Sequence, residues 1–191
     1  VISPGAQAPV LPELDGARCV HAAIETAACR ACVEACPRGA LRLDDAALEF
    51  EGGLCDGCGL CVPACPRQAI VLPLALASRP VVGTNVMLAA CDHAVGDVGR
   101  HAGSGLIGCL HAIGLVELLL AHRAGQHVWL LAHADCTGCP RGQGETLVTR
   151  VAHLNAALRQ RGQRPIVLRE VSGTSWAALI KTAGAAQAHS R

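Results

Sequence analysis

The clearest periodicity in the chain lies in ETLVTRVAHLNAALRQRG, residues 145–162. Leu147, Val148, Val151, Leu154 and Leu158 fall on one helical face, and Arg150, Arg159 and Arg161 take the other. Gly162 is the natural stop. Runs without that period flank it: VVGTNVMLAA (81–90), HVWLLAHA (127–134) and PIVLREV (165–171) predict buried strands. LIGCLHAIGLVELLLAHRAG (106–125) predicts a strand end or turn leading into a helix that halts at Gly125. SWAALIKTAG (175–184) predicts a short last helix capped by Ser172 or Ser175. Strands alternating with helices predict a small α/β domain over residues 76–187, built on a parallel sheet. Ligands of such sheets gather beyond the carboxyl ends of the strands.

The earlier part of the chain repeats itself. ACPRGALRL (35–43) matches ACPRQAIVL (64–72), and at that same offset Cys29, Cys32 and Cys36 recur as Cys58, Cys61 and Cys65. The second copy, CDGCGLCVPACP, opens on Cys55, whose counterpart one repeat earlier is Thr26. The first copy therefore lacks one beat of the C-x2-C-x2-C-x3-C-P iron–sulfur run. Cys19 is the nearby thiol that can supply it, with VHAAIETAA arching between. The rival expectation is a three-iron cluster at that site, with Cys19 merely buried. Residues 1–17, with Pro4, Pro9 and Pro12, read as an extended tail, and residues 18–75 as a domain.

Composition narrows the chemistry. The 191 residues include 12 Cys but one Phe, two Trp and no Tyr, so the core must be aliphatic. A formal charge of +1 and the scarcity of aromatic stacking platforms argue against nucleic acid or an anionic membrane as partner. The apolar region 70–91 is broken by Pro73, Arg79, Pro80 and Asn85 and makes a poor membrane span. VISPGAQAPVLPELDG has neither the basic start nor the apolar run of a secretory signal. Dense cysteine without secretion predicts metal rather than disulfides, in a cytoplasmic setting.

Three thiolates at x2 spacing can wrap one corner of a cubane while the backbone N–H groups between them face its sulfides. Gly57 and Gly59 permit the tight turns, and Pro66 sends the chain away. No C-x2-C is followed by His, which excludes haem attachment. The last four cysteines, Cys91, Cys109, Cys136 and Cys139, fall where predicted strands end, enough for one tetrathiolate site. An iron–sulfur centre, a structural zinc, a near-Rieske pair (Cys91-x-His93 with Cys109-x-His111) and plain buried thiols compete there. GRHAGSGLIG (99–108) lacks the order of a phosphate loop and reads as a turn, and SGTS (172–175) is a weak flavin-phosphate candidate. No residue set offers a nucleophile–base pair or a paired-carboxylate site.

Residues 19–75 resemble the bacterial two-cluster [4Fe–4S] ferredoxins, on the two C-x2-C-x3-C-P copies quoted above. That resemblance implies an α+β, pseudo-twofold βαββαβ core that passes single electrons. It also implies that Cys36 and Cys65 exchange partners. Cluster one then takes Cys19, Cys29, Cys32 and Cys65, and cluster two takes Cys36, Cys55, Cys58 and Cys61. The α/β part resembles the iron–sulfur delta subunit of methyl-viologen-reducing hydrogenase, on Cys109, Asp135-Cys136-x2-Cys139 and Gly142-x-Gly144. That resemblance implies a [2Fe–2S] third centre and a redox enzyme or larger oxidoreductase subunit as partner. The expectation is an electron-transfer subunit without catalysis of its own. The alternatives are a small flavin- or metal-dependent reductase, and a redox or metal sensor or assembly factor.

Overall fold

The computed structural model describes residues 9–44, 47–72, 79–95, 106–133, 135–141, 146–173, 175–176 and 178–181. The chain divides into two compact units, Val1–Leu74 and Ala75–Arg191.

The first unit is two short halves built alike. Strand β1 (Glu13–Leu14) is followed by a 3-10 turn, Gly16–Arg18, and helix α1 (Val20–Ala23). Helix α2 (Ala31–Glu34) and strand β2 (Leu41–Asp44) complete that half. The second half runs through β3 (Ala47–Phe50), a 3-10 turn at Gly52–Leu54, α3 (Cys61–Ala64) and β4 (Ile70–Val71). β2 pairs β3 and β1 pairs β4, both antiparallel, with Leu41 opposite Phe50 and Ile70 opposite Leu14. The hydrogen bonds repeat as well: Asp15 N–H donates to Ala69 O and Glu51 N–H to Ala40 O, each at 2.8 Å.

Even an unusual backbone angle is copied. Gly39 sits at φ +63°, and Gln68, its counterpart in the second copy, is also at positive φ, +53°, unusual for a non-glycine residue. Of the segment expected as a tail, 1–17, residues 1–8 lie outside the described residues. From Glu13 it contributes a strand and a turn, too short to carry a period-2 signal of its own.

The second unit is a five-stranded sheet. Strand β5 (Arg79–Pro80) turns back antiparallel onto β6 (Val86–Cys91), so the strand expected over 81–90 is present from Val86, and 81–85 is a tight turn. Thr84 makes that turn, its hydroxyl donating to Val81 O at 2.8 Å. Helix α4 (Asp92–Val95), strand β7 (Leu106–Ile107), helix α5 (Leu115–Arg123) and strand β8 (Val128–Ala132) follow. Helix α6 (Leu147–Gln160) and strand β9 (Val167–Glu170) come next. β6, β7, β8 and β9 are parallel. After β9, Ser172 caps the last helical residues, its Oγ accepting from Ser175 N–H at 3.2 Å.

Both faces of the sheet are covered, which is why its central strands are apolar throughout rather than alternating. Met87, Ala89, Trp129 and Leu131 pack under Leu118 of α5 and Leu147, Val151, Leu154 and Leu158 of α6. Leu88, Ala90 and Ala132 pack on the opposite side with Trp176. The period-2 parity of β6 thus sends Cys91 to the α5–α6 side, where it packs against that cluster.

The register of α6 corrects two expectations. Val148, placed on the apolar face, is 65% exposed, whereas Arg150, placed toward solvent, is 5% exposed. Arg150 Nη1 donates to His111 O at 3.1 Å and Ile113 O at 2.6 Å, satisfying carbonyls at the turn before α5. Asn155 does the same for β9. Its amide donates to Ile166 O at 2.8 Å while Ile166 N–H donates to its Oδ1 at 2.7 Å. Among the described residues no helix is long and apolar enough to cross a membrane.

Candidate metal centres

Two cavities lie in the first unit, and thiols line each. Cys36, Cys55, Cys58 and Cys61 line one, with about 380 Å³ of empty space that is partly open to solvent. Cys19, Cys29, Cys32 and Cys65 line the other, with about 350 Å³. Each half thus contributes its last cysteine to the cavity of the other half. The thiols of a set are near enough to feel one another's charge. Burial, then Cys58, Cys36 and Cys55, push the Cys61 thiol up to about 12. Burial and then Cys65, with Cys29 adding less, push Cys32 up.

Cys19 reaches its cavity by the same local geometry as Cys55. Each follows a three-residue 3-10 turn that begins with glycine, and each is extended, at φ −63°, ψ 140° and φ −77°, ψ 130°. Cys19 N–H donates to Gly16 O at 3.1 Å and Cys55 N–H to Gly52 O at 3.2 Å. Cys19 and Cys55 stand further apart in sequence than the offset at which the triads repeat, so a short insertion separates Cys19 from its triad. Helix α1 takes up much of that insertion, and Thr26 is exposed in the rest of it. The shared Gly-x-x-Cys of residues 16–19 and 52–55 was the sequence signal for this equivalence.

Sulfur-directed N–H groups complete the cradles. Ala40 N–H donates to Cys36 Sγ and Ala69 N–H to Cys65 Sγ, both at 3.3 Å and again one repeat apart, and Gly57 N–H donates to Cys55 Sγ at 3.4 Å. Arg38 lines one cavity and Arg67, its repeat counterpart, the other. All 12 cysteines are free thiols. Four soft thiolates per cavity with backbone donors aimed at sulfur fit an iron–sulfur cluster.

The raised Cys61 thiol has a measurable consequence for the metal-free protein. Below pH 9 it is protonated folded or unfolded, but between about 9 and 12 only the unfolded chain releases that proton. The stability that this thiol contributes to the metal-free protein is therefore full below pH 9 and is lost as pH climbs toward 12. Denaturant unfolding of chelator-treated, reduced protein at pH 7.5 and 10.5 checks this, with the lower midpoint expected at 10.5.

The four remaining cysteines meet at one edge of the sheet. β6 and β8 run parallel side by side, so Cys91 at the end of β6 and the Cys136–Cys139 loop after β8 emerge together. β7 pairs with that same end, Ile107 opposite Cys91, and brings Cys109 alongside. Burial pushes Cys109 up to about 11, with Cys139 and Cys91 adding to the rise and the Arg141 charge opposing it. Burial and then Cys139 and Cys91 likewise raise Cys136. Among the described residues no three His, Cys, Asp or Glu groups close around a point fit for a single ion.

Asp135 folds the loop, accepting from Thr137 N–H at 2.9 Å. His111 has both ring nitrogens engaged. Leu147 N–H donates to Nδ1 at 3.1 Å, which leaves the proton on Nε2, 3.6 Å from Cys136 Sγ. Burial first, then Arg150 and His133, lower its pKa and favour that neutral form. His111 is thus a sulfur-directed donor in this arrangement, and His93 is 42% exposed at 3.8 Å from Asp92. Sequence reasoning missed Arg141, which is 7% exposed and bidentate to Asp92 at 2.5 and 3.0 Å. Gly142, Gly144, residues 99–105 and Thr174 lie outside the described residues.

Residues 26–70 match the family model of the 4Fe-4S dicluster domain. This segment binds [4Fe–4S] and has an iron–sulfur electron-transfer role. The match begins at Thr26, so Cys19 lies outside it, as does the second unit. No curated protein and no solved structure matches the chain.

Proposed function

We propose that the chain is an electron-relay subunit in which two cubanes and a third iron–sulfur centre pass single electrons between a redox enzyme and another carrier. Cys19, Cys29, Cys32 and Cys65 hold cluster one, and Cys36, Cys55, Cys58 and Cys61 hold cluster two. The observation that carries this reading is the crossed pattern of thiols around the two cavities, four to each. The first unit is an α+β two-cluster ferredoxin-like fold, supported by its two-fold repetition of strand pairing and turns. Cys91, Cys109, Cys136 and Cys139 hold the third centre, a [2Fe–2S] cluster on the resemblance of the second unit to the hydrogenase delta subunit.

When bound, such clusters supply reversible one-electron oxidation and reduction. The protein's part is to hold thiolates and exclude water. The N–H groups of Ala40, Gly57 and Ala69 favour the more negative, reduced form by donating to sulfur. Arg38 and Arg67 add fixed positive charge beside the cavities. The partner is a redox protein or a larger oxidoreductase subunit.

Iron, sulfide and zinc content after anaerobic purification, paired with EPR, tests the assignment. Two cubanes alone give about eight iron, a rim [2Fe–2S] about ten and a rim cubane about twelve. About ten iron is expected. A count of about eight with one zinc removes the relay role of the second unit, and flavin absorbance redirects it to a reductase.

A further inference from the structure

Every segment that brings a cysteine to the sheet edge is tied to one side chain. Arg141 stands two residues after Cys139, in the loop that also carries Cys136. Its guanidinium makes a bidentate pair with Asp92, the residue after Cys91, at 2.5 and 3.0 Å. Its Nη1 also donates to the carbonyl of Gly108, the residue before Cys109. Three segments far apart in sequence therefore converge on one planar fork. Lysine has no such fork: its ammonium is a point charge, whereas guanidinium serves a carboxylate and a carbonyl at once.

Burial makes the arrangement consequential. The Arg141 side chain is 8% exposed and Asp92 15%. A buried guanidinium without its carboxylate is strongly unfavourable, so the pair holds only when the three segments are in register. Four thiolates in one place repel one another, and a positive charge beside them opposes that repulsion.

We propose that Arg141 is the positioning residue of the rim centre: it holds the Cys91, Cys109 and Cys136–Cys139 segments together and, with Asp92, sets the potential of the cluster they carry. This rests on the reading that the rim thiolates bind an iron–sulfur cluster. Removing the guanidinium leaves the Asp92 carboxylate facing a more negative site, which lowers the reduction potential. Neutralising Asp92 leaves the guanidinium unopposed, which raises it. A merely structural contact moves stability in both cases and the potential in neither.

The test uses the full chain purified anaerobically, with iron and sulfide counts, an EPR-monitored potential for the rim signal, and thermal melts. The rim cluster itself is measured first: Cys109→Ser lowers iron from about ten to about eight per chain if the rim holds a [2Fe–2S] cluster. Wild-type protein without rim iron overturns both readings. Given rim iron, Arg141→Met is expected to lose most of it while keeping both cubanes, and any remaining rim signal titrates lower. Arg141→Lys keeps the charge and loses the fork, so it loads less than wild type, with its potential closer to wild type than that of Arg141→Met. Asp92→Asn keeps one acceptor oxygen for the fork, so it loads less fully than wild type, and its remaining rim signal titrates higher. Full rim loading at the wild-type potential in Arg141→Met overturns the proposal. Should Arg141→Met fail to fold, Asp92→Asn decides: an upward shift sustains the proposal and an unmoved or lowered potential overturns it.

Discussion

Cys19→Ser is expected to cost the protein one cubane, while Thr26→Ala leaves the iron count untouched. Thr26 occupies the place that the repeat reserves for a ligand, yet it is exposed, whereas Cys19 lines the cavity with Cys29, Cys32 and Cys65. A serine at 19 offers an alcohol where a soft thiolate is needed. Iron is expected to fall by between one and four atoms per chain, one if a three-iron cluster survives and four if the site empties. EPR separates the two outcomes. The signal of cluster two should persist, because none of its four thiols changes. Full iron retention in Cys19→Ser would mean that some other group completes the site.

The corresponding experiment on the cavity lined by Cys36, Cys55, Cys58 and Cys61 is Gly57→Ala. Gly57 is at φ +71°, and a Cβ there would stand 3.0 Å from Val10 O and 3.3 Å from Pro9 Cβ. The left-handed backbone alone costs a non-glycine residue about 1–2 kcal/mol. The contact with backbone cannot be relieved by rotating a side chain, so either the Pro9–Val10 segment or the 55–59 loop that carries Cys55 and Cys58 has to give. Loss of most of the iron of cluster two is the expected result, with cluster one retained. Gly39→Ala is the control: its φ is +63°, but nothing lies within 4 Å of the new Cβ. Gln68 already holds a side chain at the equivalent place. Iron content and EPR of both variants check the contrast.

The cysteine framework was readable because ligand spacing is local: a loop that wraps a cubane must place its thiols close together along the chain. The gap at Thr26 was equally readable, since a repeat fixes the missing position by subtraction. The partnership of Cys19 with Cys55 was harder to see, because an insertion breaks the offset. Their equivalence resides in a glycine-led turn. The strand Glu13–Leu14 carried no signal, since two residues have no period and it exists only because Ile70–Val71 accepts it.

In the second unit, the sheet and α6 followed from apolar runs, but the burial of Arg150 did not. That burial depends on carbonyls at 111 and 113, which helical periodicity cannot sense. The Asp92–Arg141 pair joins residues far apart along the chain and is equally invisible to any window. Buried charge is decided by tertiary partners, and partners are what a single sequence conceals.

The crossing of Cys36 and Cys65 also bears on how such a domain is made. On this assignment the last ligand of cluster two to leave the ribosome is Cys61, and the last of cluster one is Cys65. A nascent chain that has displayed its entire first half can close neither cubane. Once Cys61 has emerged, the thiol that completes the other site follows within one helical turn of chain. Both ligand sets are therefore completed almost together, and a chain ending before residue 61 would hold neither set whole.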